Sequence, residues 1–315
     1  MSKTLISYVF PIFNESENID PLFSDISRTT AGYADKYDFE FVFVNDGSRD
    51  GSLAKLVALQ QADQRVSVIN LSRNFGHQIA VTAGVDYARG DAVIIMDSDL
   101  QDPPAVSLQL IAKWTEGYEV VYAQRRTRKD GFFKRVTANL FYRLLSRLSD
   151  IEIPRNVGDF RLMDRKVVDQ LKRFPEHNRF LRGMVSFVGF RQTAVPFDRG
   201  GRHAGETGYP LGKMIRFALD GIFGFSSAPL KLITRVGYFI SALSFAAIIY
   251  VLWVRLFVPT QAVSGWAFTV IAILFIGGVQ LIMLGILGGY IGRIYTETQG
   301  RPLYIIDKIY SRSQD

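Results

Sequence analysis

The chain has 315 residues, of which 48% are apolar and 13% aromatic, enough for the packed core of one large or two medium domains. This composition excludes a disordered chain, and the lack of cysteine excludes a disulfide framework, a thiolate metal site and a cysteine nucleophile. The net charge of +7 suits an anionic partner, and eight basic residues lie between Arg125 and Ser149 beside a single acidic residue.

Five apolar runs in the first 125 residues alternate with segments of helix length, the pattern of a parallel sheet covered by helices. We predict an α/β fold with a doubly wound, mainly parallel sheet. The first run has no basic segment before it, so it is interpreted as a strand and not as a signal peptide. Ligands of such sheets bind beyond the carboxyl ends of the strands, so chemistry is expected after each run. The runs are Leu5–Phe10, Phe39–Val44, Val66–Leu71, Ala92–Met96 and Glu119–Ala123.

Polar and acidic groups follow three of these runs, in the segments Pro11–Glu15, Asn45–Ser48 and Asp97–Pro104. An Asp-x-Asp pair is common by chance, but here it directly follows the apolar run AVIIM, which fixes both carboxylates at one rim of the sheet. Asp97 and Asp99 point to the same side of an extended segment. Because carboxylate oxygens suit hard cations, the pair predicts a site for Mg²⁺ or Mn²⁺. The three histidines are too scattered to indicate zinc and are interpreted as ordinary surface or cleft residues.

Two later segments, at 131–149 and 211–230, mix aromatic and aliphatic residues with basic ones. This mixture is typical of helices that lie in a membrane interface, although both could instead pack their apolar faces on the sheet. We predict a cytoplasmic catalytic domain over 1–210 that includes the first segment. The second segment then forms a juxtamembrane helix.

Uncharged runs of 19 and 29 residues occur at Val236–Val254 and Ser264–Gly292, each long enough to cross a hydrocarbon core of about 30 Å. A pair of buried helices in a soluble protein is the alternative. Basic residues precede the first run and follow the second, so both termini are expected in the cytoplasm. The glycines of the second run suit close helix packing in lipid and favour a homo-oligomer. The expected elements are an anchor at 231–294, with transmembrane helices at about 234–257 and 265–292, and a cytoplasmic tail at 295–315.

The chain resembles the family 2 glycosyltransferases of GT-A fold in four motifs and in its two-helix anchor. The motifs are PIFNE, VNDGS, LSRNFGHQIAVTAGVDYARGDAVIIMDSDLQDPP and GDFRLMDR. More narrowly, it is similar over essentially its whole length to the polyprenyl-phosphate glycosyltransferases, which include bactoprenol glucosyltransferases and dolichyl-phosphate mannose synthases. The resemblance implies an integral membrane protein that transfers a sugar from a nucleotide-sugar, first of all UDP-glucose, to undecaprenyl or another polyprenyl phosphate among membrane lipids.

The resemblance also implies four sets of site residues. The nucleotide-sugar set is Pro11, Phe13, Glu15, Asp46, Asp97, Ser98 and Arg125, in which Asp46 would recognise the base. The metal set is Asp97, Asp99 and Gln101. The catalytic set is Asp159, Asp99 and Arg161, with Asp159 on the acceptor side and Arg161 supporting it. The acceptor-phosphate set is Arg135, Arg202 and Lys213.

One loop departs from the family pattern. Relatives commonly have a lysine before the tyrosine of GETKYPL, whereas this chain has Gly208. If that lysine contacts phosphate, Arg202 or Lys213 has to replace it. A second alternative concerns Asp159, which could be a turn residue capping a helix, the role expected for Asp164.

An inverting single displacement is expected, in which a phosphate oxygen of the carrier attacks the anomeric carbon. The phosphate is already anionic, so Asp159 would orient the acceptor. A processive polysaccharide synthase shares the fold and the aspartates, but the sequence has no Gln-x-x-Arg-Trp motif. A membrane-tethered scaffold that binds a nucleotide-sugar without catalysis is the other alternative. Nucleic-acid binding is not expected, because the basic residues cluster beside the predicted anchor.

Overall fold

The computed structural model describes residues 3–126, 157–198, 228–257 and 265–311. Within these ranges eight strands form one sheet in the order β7-β5-β6-β4-β1-β2-β3-β8. The first five strands coincide with the five apolar runs, which confirms the predicted α/β class. The strands are β1 Thr4–Ile12, β2 Tyr37–Asn45, β3 Val66–Leu71, β4 Ala92–Ile95, β5 Val120–Arg125, β6 Val157–Asp164, β7 Gln192–Phe197 and β8 Ile306–Tyr310.

The sheet is parallel at its centre and mixed at its sides. β1 lies between β2 and β4 and runs parallel to both, and β3 continues this parallel block beside β2. β6 runs antiparallel between β4 and β5, and β7 is parallel to β5. No apolar run predicts β6, because two charged residues that the fold buries, Asp159 and Arg161, interrupt it.

Helices cover both faces of the sheet. Asp164 precedes α5 and its side chain accepts a hydrogen bond from Lys166 N at 3.0 Å, which confirms the predicted cap. The described helices are α1 Ile19–Ala31, α2 Ser52–Ala62, α3 His77–Tyr87, α4 Ala105–Thr115, α5 Arg165–Leu171, α6 Leu181–Val188, α7 Ala228–Phe257 and α8 Trp266–Thr298.

The core consists of two apolar layers, one on each face of the sheet. Along β2, Phe41 and Phe43 pack with residues of α1, α2 and α4, whereas Val42 and Val44 pack with residues of α3. Burial on both faces explains why these strands are almost continuously apolar. Each such side chain contributes about 1.5–3 kcal/mol when fully buried, so the parallel block is the rigid part on which the loops are mounted.

The predicted spans at 234–257 and 265–292 lie within α7 and α8. In α8, the segment Phe275–Thr298 is long and apolar enough to cross a membrane, with a mean hydropathy of 1.7 and none of its apolar window buried. The apolar stretch of α7, Leu232–Ala247, is shorter. The membrane hairpin stays a prediction. The segment at 131–149 lies outside the described residues, as does that at 211–230 except for its last three residues.

After α8 the chain returns to the sheet. β8 pairs antiparallel with β3, with Ile309 opposite Ile69. Tyr304 Oη donates a hydrogen bond to Asp86 Oδ2 at 2.9 Å. The segment expected as a tail at 295–315 therefore contains an edge strand, which no feature of the sequence had indicated.

Candidate functional site

The loops after β1, β2 and β4 meet at one edge of the sheet, where the sequence predicts the chemistry. Ser98 Oγ donates to the carbonyl oxygen of Pro11 at 3.2 Å. Asn14 N donates to Ser48 Oγ at 3.0 Å, and Asn14 Oδ1 accepts from Arg49 N at 2.8 Å. Parallel strands end at the same edge, and these bonds fix the three motifs relative to one another.

Two non-glycine residues in this region have positive φ, Asn14 at 55° and Leu100 at 58°. Each lies inside one of the predicted motifs. This backbone conformation costs about 1–2 kcal/mol for an ordinary residue, and such strain concentrates at functional sites. Beside Leu100, Gln101 N donates to Asp99 Oδ1 at 3.2 Å, which closes the turn of the segment predicted to bind metal.

Asp46 is buried and connects the loop after β2 to the loop before α3. Its Oδ1 accepts from Phe75 N at 2.7 Å, and its Oδ2 accepts from Gly76 N at 3.0 Å. Burial raises the pKa of Asp46, against the opposing effect of these two amides. Next to it, Gly47 has a φ of +65°, and a Cβ there would lie 2.4 Å from the carbonyl carbon of Arg73. Asp46, which is predicted to recognise the base, thus also connects two loops at this edge of the sheet.

Asp97 has the surroundings that best fit a divalent cation. Its Oδ1 atom is buried and has no hydrogen-bond partner, a situation that costs about 1–3 kcal/mol unless something binds there. Burial raises the pKa of Asp97 most, His77 opposes this, and the carboxylates of Asp159 and Asp99 raise it further. A hard cation would offset this excess of negative charge.

The described residues do not contain three or more His, Asp or Glu side chains grouped closely enough to hold a metal by themselves. In proteins, Mg²⁺ is commonly held by one or two carboxylates, while substrate phosphates and water supply the other oxygens.

Asp159, on β6, is the centre of a polar cluster beside Asp97. Its Oδ1 accepts from Arg182 Nε at 2.9 Å. Its Oδ2 accepts from Gln78 Nε2 at 3.0 Å and lies 3.2 Å from His77 Nε2. The same nitrogen is 3.6 Å from Asp97 Oδ1, so the two carboxylates converge on one atom of the imidazole.

The electrostatics of the cluster keep Asp159 ionised. Burial raises the pKa of Asp159, but Arg182 and His77 outweigh it and hold the pKa well below its ordinary range. Burial lowers the pKa of His77, but the hydrogen bond to Asp159 and the charge of Asp97 reverse this and raise the pKa to about 9. At neutral pH an imidazolium and a guanidinium therefore face an ionised carboxylate.

Arg161 is buried on β6, and its guanidinium contacts backbone rather than carboxylate oxygens. Its Nη2 donates to the Gly158 carbonyl at 2.8 Å and its Nε to the Asp159 carbonyl at 3.4 Å. Burial lowers the pKa of Arg161 to about 10, so it stays cationic at neutral pH. Arg125 ends β5 beside the same strand, since a Cβ on Gly158 would lie 3.3 Å from Arg125 Nη2. The direct ionic partners of the Asp159 carboxylate are Arg182 and His77.

The remaining predicted residues fall into two groups. Phe13 and Glu15 lie in the loop after β1, where the Phe13 ring is 46% exposed and free to stack on a planar ligand. Glu15 N donates to Ser52 Oγ at 3.1 Å, and the Glu15 carboxylate accepts from Asn18 Nδ2. The acceptor-phosphate set lies outside the described residues: Arg135, Arg202 and Lys213.

The sequence predicts no role for Gln78 and Arg182 of this cluster, and only an ordinary surface or cleft position for His77. His77 and Gln78 begin α3, at the same edge as the other motifs, so their position after β3 is a signal that could have found them. Arg182 lies in a later helix without a recognisable motif, and the tertiary contact with Asp159 is what identifies it.

Comparison with known proteins gives both a family and full-length relatives. Residues 7–172 match the family model of glycosyl transferase family 2. The chain is 50% identical to the uncharacterized glycosyltransferase YkcC of Bacillus subtilis over 305 residues, which are 96% of this chain and 94% of that one. It is 44% identical over 306 residues to the SfII prophage-derived bactoprenol glucosyl transferase of Shigella flexneri, covering 96% and 97%. It is 43% identical over 307 residues to the prophage bactoprenol glucosyl transferase homolog of Escherichia coli, covering 96% and 99%.

Solved structures are more distant. The mannosyltransferase PcManGT from Pyrobaculum calidifontis, in complex with GDP-Man and Mn²⁺, is 15% identical with a TM-score of 0.47, and the match covers 82% of each chain.

Proposed function

The chain belongs to glycosyl transferase family 2, and we propose that it transfers glucose from UDP-glucose to undecaprenyl phosphate or another polyprenyl phosphate at a membrane. The product would be a lipid-linked sugar that serves as donor for glycosylation of the cell envelope. Similarity over nearly the full length to relatives named as bactoprenol glucosyl transferases supports the glucosyl group and the polyprenyl acceptor.

The observation that carries the proposal is that the carboxylates of Asp97 and Asp159 lie 3.6 Å and 3.2 Å from the same His77 atom, Nε2. Asp97 belongs to the motif cluster at the ends of β1, β2 and β4, which suits a nucleotide diphosphate. Asp159 lies on β6, which pairs with β4 on the side away from β1. Two anionic substrates could therefore meet at this point, with cationic side chains offsetting part of their repulsion.

In this proposal Asp97, Asp99 and Gln101 would hold Mg²⁺ or Mn²⁺, and a cation bound there would supply positive charge to offset the negative charge of the departing nucleoside diphosphate. Phe13, Glu15 and the remaining donor-site residues would hold the nucleotide against the strand ends.

The transfer is a single displacement with inversion. A phosphate oxygen of the acceptor forms a bond to the anomeric carbon while the bond from that carbon to the diphosphate oxygen breaks, and the nucleoside diphosphate leaves. The acceptor phosphate is already anionic, so no strong base is required. Asp159, held ionised by Arg182, would orient the acceptor through the cations around it.

The anchor completes the proposal. Helices α7 and α8 would form a membrane hairpin, with the catalytic domain and both termini in the cytoplasm. Large apolar side chains of α8 support this, since Leu281 and Ile282 are 71% and 67% exposed, which is costly in water.

The decisive experiment is transfer of radiolabelled glucose from UDP-glucose to undecaprenyl phosphate by the purified full chain in detergent, with Mg²⁺, with Mn²⁺ and with a chelator. The matched variants are Asp97→Asn and Asp20→Asn, the latter in an exposed pair with Lys55. Metal-dependent label in the lipid fraction that Asp97→Asn abolishes and Asp20→Asn preserves would support the proposal. Transfer only from another nucleotide-sugar would correct the donor. No transfer from any donor would favour the non-catalytic scaffold.

A further inference from the structure

His177 contacts the end of α8, in addition to the attachment of the following segment through β8 and Tyr304. The backbone amide of His177 donates to Glu297 Oε1 at 2.8 Å and to Oε2 at 3.1 Å. The ring atom Nδ1 lies 2.8 Å from Glu297 Oε2, and Nε2 lies 2.5 Å from the Arg301 carbonyl oxygen. We call the contacts of His177 with Glu297 and Arg301 the His177 joint.

Both ring nitrogens of His177 face hydrogen-bond acceptors, since the Glu297 carboxylate lies beside Nδ1 and the Arg301 carbonyl beside Nε2. Both nitrogens must donate for both contacts to be hydrogen bonds, which requires the imidazolium form. The side chain is only 18% exposed, and charge-assisted bonds of this kind are stronger than neutral ones. The His177 joint is therefore a partly buried, charge-assisted contact and not an exposed surface ion pair.

A short path leads from the joint to the acceptor-side carboxylate. His177 lies in the loop between α5 and α6, and Arg179 Nη2 holds this loop by donating to the Phe174 carbonyl at 2.6 Å. The first turn of α6 follows, where Leu181 is held by Gln78 and Arg182 pairs with Asp159. Four residues separate the joint from the arginine that contacts the carboxylate.

We propose that His177 is a positioning residue that sets the distance and orientation of Asp159 relative to the membrane end of α8. The inference rests on the proposed function, because it takes α8 as a membrane helix and a lipid phosphate as acceptor. A polyprenyl phosphate is confined to the membrane surface, so it reaches Asp159 only when the His177 joint holds Asp159 at the right distance from that surface. A short-chain acceptor diffuses in solution and reaches the site at any distance from the membrane, so its transfer does not depend on the His177 joint.

The test compares two acceptors with the same enzyme. Transfer is measured to undecaprenyl phosphate in liposomes holding the reconstituted full chain, and to a short-chain, water-soluble polyprenyl phosphate analogue in detergent. For His177→Ala we expect kcat/KM for the liposome acceptor to fall about tenfold, the factor of one lost charge-assisted hydrogen bond. Activity on the soluble acceptor and the KM for the donor should stay within about twofold, the range of a neutral surface change. Glu297→Gln keeps an acceptor oxygen for the His177 amide and should therefore lose less activity on the liposome acceptor than His177→Ala.

The matched control is Lys55→Ala, which removes an exposed ion pair with Asp20. It should change the transfer rate to neither acceptor. Equal loss on both acceptors, or no loss on either, would overturn the inference. An inactive wild type in both arms would instead refute the proposed function, and a second readout still tests the joint.

This second readout uses the absence of cysteine in the chain. Arg173 is exposed, so Arg173→Cys provides a unique labelling site on the catalytic domain. Energy transfer from that label to a dye in the lipid headgroups should give one narrow distance distribution in the reconstituted protein. Adding His177→Ala should broaden it, and an unchanged distribution would contradict the positioning role.

Discussion

Replacing Arg182 by methionine tests the electrostatic account of the cluster most directly. Methionine keeps most of the side-chain volume while removing the charge that faces Asp159 Oδ1 at 2.9 Å. Loss of one partner of a fully buried ion pair costs about 3–5 kcal/mol. Here Arg182 is 24% exposed and Asp159 keeps its contacts with His77 and Gln78, so we expect a loss of about 2 kcal/mol. For a domain of this size, that lowers Tm by about 4–8 °C.

The assay for Arg182→Met is denaturant unfolding of the detergent-solubilised protein, together with the rate of sugar transfer. The pKa of Asp159 is depressed in the folded state, so its ion pair stabilises the protein above the ordinary value of 3.8 and less as pH falls through the folded-state pKa. The difference in unfolding free energy between wild type and variant should therefore narrow below pH 3.8. Transfer should fall about 100-fold, as when one oriented donor is removed from an active site.

The matched control is Arg126→Met, which removes an arginine from an exposed pair with Asp198 at 3.5 Å. It should leave stability and rate nearly unchanged, because exposed pairs contribute about 0–1 kcal/mol. A wild-type rate in Arg182→Met would refute the view that Arg182 prepares Asp159 for the acceptor. Wild-type stability at neutral pH would refute the ion pair itself.

Three further predictions concern the donor side and the C-terminal strand. Asp97→Asn should reduce transfer at least about 100-fold and abolish the heat of Mn²⁺ binding, while Tm without metal is retained, because the change removes charge from a crowded acidic site. Gly47→Ala should lower the unfolding free energy by about 2 kcal/mol and raise the donor KM, since its Cβ would lie 2.4 Å from Arg73; an unchanged urea midpoint would contradict this. Asp307→Ala should cost about 1 kcal/mol by removing the acceptor of Asn70 Nδ2 at 2.9 Å, seen as a lower Tm with a nearly unchanged transfer rate.

The donor half of the candidate site was accessible from the sequence because its parts are local. Each motif directly follows an apolar run that forms a parallel strand, and parallel strands deliver their ends to one edge. Asp46 and Asp97 could thus be assigned to one edge without coordinates. The helical conformation of both predicted spans also followed from long uncharged runs.

Other features depended on contacts between distant parts of the chain, which composition and spacing do not reveal. Arg182 meets Asp159 across 23 positions, and His177 meets Glu297 across 120. β8 is a short strand of mixed polarity whose partner lies in the first quarter of the chain. The sequence by itself determined the α/β class, the strand-end motifs and the family, because these follow from local periodicity and from motifs. The tertiary structure alone decided which cations face Asp159 and where α8 joins the catalytic domain, because packing free energy selects those pairings from many that the same sequence would allow.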